Sequence, residues 1–110
     1  MAYDEDLADR IRELLEDESG VVEKKMFGGL AFLIGGHMSV SASGQRGIMV
    51  RVDPADTDKL VASTKAEVAV MRGRPMDGWL RVATDDVGTK QQLAKWVKLG
   101  VAHARSLPPK

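Results

Sequence analysis

Cysteine is absent from this chain. That excludes disulfide frameworks, thiolate zinc sites and thiol nucleophiles, and leaves the redox compartment open. Histidine is almost as scarce. His37 and His103 are the two present, with no ligand spacing between them, where zinc needs several convergent donors. Net charge is also missing: 16 basic side chains balance 16 acidic ones, without the overall basic excess common in DNA-binding domains. No apolar run approaches membrane-spanning length. The opening residues Asp4, Glu5, Asp6, Asp9 and Arg10 do not make a secretory signal. The expectation is a cytoplasmic protein that does not enter the membrane.

Catalytic motifs are missing too. No Gly-x-x-x-x-Gly-Lys-Ser/Thr loop, Gly-x-Ser-x-Gly elbow or EF-hand spacing occurs, and Asp85-Asp86 is only an adjacent pair in a turn. The chain therefore reads as a non-enzyme with no cofactor and no metal. At 110 residues it is one domain, residues 1–110, large enough to bury a single core without staples.

What is present is uneven charge and clear periodicity. Residues 1–20 hold eight carboxylates against Arg10 and Arg12, a local balance of −6, so the remainder sums to +6. Leu7, Ile11, Leu14 and Leu15 form one helical stripe, predicting a helix over 4–18 that Ser19-Gly20 closes. Strands follow at 21–26, 30–34, 37–42 and 48–52, with Gly35-Gly36 a two-residue hairpin turn. Asp53-Pro54 opens a second helix that fades near Ser63. Strands near 67–71 and 79–83 flank a loop from Gly73 to Gly78. Thr89 and Gln92 form a capping box for a last helix carrying Leu93, Trp96, Val97, Gly100, Val101 and Ala104. Helix, strands, helix, two strands, helix is the order of an α+β two-layer sandwich. It predicts an antiparallel sheet of five or six strands with helices on one face.

Three places attract functional attention. Lys24-Lys25-Met26-Phe27-Gly28-Gly29 joins positive charge to a glycine pair, but leads into another strand instead of a helix N-terminus. It therefore reads as a turn in the sheet with Phe27 in the core, not a phosphate cradle. Alternation puts Lys24 and Lys25 on opposite faces. The loop at 72–78 offers Arg72 and Arg74 to a carboxylate or phosphate, stiffened by Pro75 and bordered by Met76. In the bland reading these arginines brace Asp77. Strand alternation also puts Met49, Arg51, Trp79 and Arg81 on the sheet face opposite Ile48, Val50, Val52, Leu80 and Val82. Such a mixture suits a protein interface, unless the arginine stems merely shield a second apolar layer.

Several segments together resemble the TfoX/Sxy N-terminal domain family. They are Met1-Ala2-Tyr3-Asp4-Glu5 with Leu7, the box at 24–29 with Leu30-Ala31-Phe32, and Met49-Val50-Arg51-Val52. Gly73-Arg74-Pro75-Met76, Trp96-Val97 and the ending Ala104-Arg105-Ser106-Leu107-Pro108-Pro109 complete the likeness. The resemblance implies a two-layer domain with a helix-covered antiparallel sheet. It further implies a regulatory setting, since the best-known members control natural competence with the cyclic-AMP receptor protein. Those members carry a second, C-terminal helical domain, which residues 1–110 do not include. The resemblance supplies no catalytic residues.

The expected function is a small regulatory or protein-interaction module. Its partner is a protein or a second copy of itself as a homodimer, met through Met49, Arg51, Arg72, Arg74, Met76, Trp79 and Arg81. Lys24, Lys25, Met26, Phe27, Gly28, Gly29, Gly73 and Pro75 act mainly as structure. One alternative is a weak, salt-dependent nucleic-acid contact through Lys24 or Lys25, Arg51, Arg72, Arg74 and Arg81. No adjacent helix pair exists for helix-turn-helix readout. Another alternative is a small-molecule or enzyme site beside the Gly-Arg-Pro-Met segment.

Overall fold

The structure, a computed structural model, describes residues 4–26, 28–43 and 47–108. The expected burial of Phe27 lies outside the described residues. Helix α1 spans Glu5–Leu14, followed by four strands: β1 Val21–Met26, β2 Gly29–Ile34, β3 His37–Ala42 and β4 Ile48–Arg51. A 3-10 turn at Pro54–Asp56 leads into α2, Thr57–Ser63. Strands β5, Glu67–Met71, and β6, Arg74–Val82, precede a second 3-10 turn and the long helix α3, Lys90–Ser106. The six strands form one antiparallel sheet in the order β1-β2-β3-β4-β6-β5. The expected α+β fold is the observed one.

Local chemistry accounts for most element ends. The Asp4 carboxylate accepts the Leu7 N–H and starts α1, with Glu5 and Asp6 beside the positive end of the dipole. The helix ends at Leu14, four residues before the predicted end. Glu16, Asp17 and Glu18 oppose the negative C-terminal dipole, and only Leu15 among residues 15–18 is fully buried. Asp53 accepts the Ala55 N–H, Pro54 starts the 3-10 turn, and Thr89 with Gln92 makes the predicted capping box at α3.

The helices cover one face. Leu7, Ala8 and Ile11 of α1 join Leu93, Trp96 and Val97 of α3 over Phe32, Val40, Val50, Leu80 and Val82 of the sheet. Phe32, Val40, Val50 and Leu80 have no exposed surface, and each such side chain contributes roughly 1.5–3 kcal/mol by leaving water. α2 packs toward β5 and β6, adding partly buried Leu60 and Val61 to this core. In β3 the register passes from Phe32↔Val40 to Leu33↔Met38. Ser39 is thus an extra residue in a bulge, its hydroxyl donating to the Phe32 carbonyl at 2.9 Å.

The largest difference from the sequence reading is at residues 72–78. The expected six-residue loop is a two-residue turn, Arg72-Gly73, and β6 begins at Arg74 instead of Trp79. Both turn residues have positive φ, 51° and 76°, the type I′ geometry that matches strand twist. Pro75 sits opposite Val70, in the part of β6 beyond the β4 register. There one backbone edge needs no ladder partner, so proline is tolerated. Gly78, at φ 85°, bends the strand where its N–H donates to the buried Thr57 hydroxyl at 2.8 Å.

Candidate surface on the helix-free sheet face

On the face away from the helices, register places Met49 opposite Arg81 and Arg51 opposite Trp79. Arg81 also faces Glu67 of β5, while Lys24 faces Ala31 at the other side of the sheet. Directly opposed residues share a face. Lys24, Arg51 and Arg81 therefore stand against one carboxylate, Glu67, and the face is net positive among the described residues.

Arg51 and Trp79 form the centre. The guanidinium carbon lies 5.2 Å from the indole ring centroid, a cation–π contact that contributes roughly 0.5–1 kcal/mol where partly exposed. Both side chains are half-buried. Arg81 is also half-buried, its Nη1 3.4 Å from the Ser43 hydroxyl oxygen to which it donates.

Met49 departs from expectation. It faces away from the helices as predicted, yet it is only 2% exposed and cannot itself present a contact surface. With Ala31, Met38 and Ala69 it forms a second small apolar cluster, against which Met26, Leu33 and Trp79 pack. The shielded apolar layer is real, and Arg51, Trp79 and Arg81 form the accessible rim above it.

The other expected positions lie apart from this centre. Arg72, Arg74 and Pro75 are exposed and Met76 is half-buried, all on the β5–β6 hairpin. Arg72 and Arg74 do not brace Asp77: no ion pair joins them among the described residues. Lys24 and Lys25 are exposed on edge strand β1 and point to opposite faces, opposite Ala31 and Leu30. The box at 24–29 closes a hairpin at Met26↔Gly29, so it is a turn in the sheet.

One feature on the helix side of the sheet left no sequence signal. Nε2–H of His37 donates to the Pro108 carbonyl at 2.6 Å, fixing the segment after α3 onto the start of β3. Its Nδ1 is buried without a partner among the described residues. His103, on α3, is held below its ordinary pKa, first by burial and then by the positive charge of Arg51. A contact between β3 and residue 108 depends on where α3 lands, which no local pattern encodes.

No three His, Asp or Glu side chains converge as a metal site among the described residues. A concavity of about 280 Å³ lies on the helix side, bounded by Lys65, Asp86, Lys95 and Trp96, away from the Gly-Arg-Pro-Met segment. No described helix is long and apolar enough to cross a membrane.

Comparison with known proteins places residues 13–104 in a match to the family model described as TfoX N-terminal domain. No curated protein and no solved structure matches the chain.

Proposed function

Since the chain belongs to the TfoX N-terminal domain family, we propose that it is a non-enzymatic regulatory module that docks a protein partner on its helix-free sheet face. The observation that carries this reading is the Arg51–Trp79 stack on a net-positive face that no helix covers. Arginine and tryptophan are the side chains most enriched at interface centres, because each combines large contact area with directional polar groups. The buried floor of Ala31, Met38, Met49 and Ala69 holds the rim in place, so little side-chain entropy is lost on docking. The partner of fitting chemistry presents a carboxylate beside apolar side chains. The carboxylate meets Arg51 or Arg81, and the apolar groups meet Trp79.

The reading is tested by light scattering and by capture of partners on immobilised protein. Wild type is compared with a Trp79→Ala/Arg81→Ala variant whose folding is checked by circular dichroism. Loss in the variant of a partner captured by wild type supports it. A dimer of wild type that the same variant dissolves makes the partner a second copy of this chain. A strict monomer whose captured set does not change would sink the reading.

A further inference from the structure

The β5–β6 hairpin runs past the rest of the sheet. β4 pairs with residues 79–82 of β6 only, while the hairpin continues to the Arg72-Gly73 turn. Residues 70–77 therefore form a two-stranded arm at the sheet edge. Its surface is unlike that of an ordinary connection. Val70 is 60% exposed, one of two large apolar side chains so exposed among the described residues. Arg72, Arg74, Pro75 and Asp77 are exposed as well.

Arg72 is the residue that calls for an explanation. It has φ 51°, in the left-handed region where a side chain costs free energy that glycine or asparagine largely avoids. It is the single non-glycine residue with positive φ among the described ones. No ion pair or hydrogen bond within the described residues offsets that cost. A strained residue whose exposed side chain makes no ion pair or hydrogen bond among the described residues points to a use outside the fold.

We infer that the arm is a basic β-ribbon that binds duplex DNA through its phosphates, independently of base sequence. Arg72 and Arg74 sit two residues apart at its tip and match phosphate oxygens bidentately. Pro75 adds one exposed apolar group beside them. A two-stranded ribbon is narrow enough to enter the major groove of B-form DNA.

The acidic helix α1 lies on the helix side of the sheet over β3, with Arg12 paired to Glu23 of β1 and Arg10 donating to the Val87 carbonyl beyond β6. None of its carboxylates pairs with the arm among the described residues.

This inference does not rest on the helix-free face, and the experiment separates the two. A fluorescein-labelled duplex of about 20 base pairs is titrated with the full chain and followed by anisotropy at low and moderate salt. Two phosphate contacts predict that affinity falls roughly ten-fold when salt rises four-fold. Arg72→Ala/Arg74→Ala is expected to weaken binding at least five-fold with an unchanged melting temperature, and Arg51→Ala/Trp79→Ala to leave it unaltered. Should the arm variant fail to fold, Asp77→Asn provides the second reading, since removing the arm's own carboxylate must raise affinity. Absence of saturable binding at low salt overturns the inference. So does equal binding by the folded arm variant, or an Asp77→Asn affinity that does not rise. Equally tight binding of labelled polyglutamate also overturns it, by making an acidic protein surface the ligand.

Discussion

Gly100 of α3 lies so close to Ser39 of β3 that a Cβ built on it would stand 2.2 Å from the Ser39 carbonyl oxygen. The bulge at Ser39 brings that carbonyl toward the helix, and only a residue without a side chain lets the two backbones meet. In an exposed helix interior, Gly→Ala would stabilise by about 1 kcal/mol through helix propensity. Here the contact is with backbone, which cannot swing away. Gly100→Ala is therefore expected to destabilise by about 2 kcal/mol or more, read as a lower urea midpoint. A midpoint equal to or above wild type would show that α3 can lift off the bulge freely.

Thr57 carries the bend from which the arm projects. It is 1% exposed, and its hydroxyl accepts the Gly78 N–H. Thr57→Val keeps the shape and removes the acceptor, leaving a buried donor unsatisfied. The expected cost is roughly 1–3 kcal/mol. Chemical denaturation measures it, and amide exchange at Gly78 should accelerate more than exchange at Phe32 of β2.

The sequence was most legible where local signals agreed. Gly35-Gly36 between alternating strands, Thr89 with Gln92, and the 3.6-residue stripe of α3 each describe their own surroundings, and the α+β order follows from them. The arm was missed because Gly73, Pro75 and Gly78 all read as strand breakers. In the structure only Gly73 is in the turn. Pro75 occupies a stretch with a single neighbouring strand, and Gly78 is required by its φ of 85° and by the Val52 carbonyl, 2.9 Å from where a Cβ would stand. Alternation placed Met49, Arg51, Trp79 and Arg81 on one face correctly. It could not show that Met49 is covered, because Ala31 and Ala69, clustered with it, come from strands that do not pair with β4.

His103 makes stability depend on pH in a defined direction. Burial, reinforced by Arg51, lowers its pKa from the ordinary 6.5. The unfolded chain therefore binds the proton more readily than the native one, and stability rises with pH through this window. The neutral-form contribution is complete above about pH 6.5 and is lost as pH falls through the lowered native value. Melting temperature is expected to drop between pH 7.5 and pH 5.5, and Glu23, whose pKa Arg12 lowers further into the acid range, should add loss only below that interval. His103→Gln should reduce the drop. An unchanged slope in that variant would assign the dependence to another group.

Arg72→Asn separates the demands of the fold from those of the arm. Asparagine tolerates the left-handed conformation and, followed by Gly73, gives the Asn-Gly pair that type I′ turns favour. Relief of the strain at φ 51° is expected to stabilise the protein by about 1 kcal/mol, which for a domain of this size raises the melting temperature by roughly 4–8 °C. Because Arg72 makes no ion pair among the described residues, nothing in the fold is lost in exchange. The same substitution removes one of the two guanidinium groups at the tip, so affinity for duplex DNA should fall while stability rises. This opposition is what a residue kept for binding predicts. A variant that is less stable than wild type would mean that Arg72 serves the fold after all, and the case for the arm would lose its foundation.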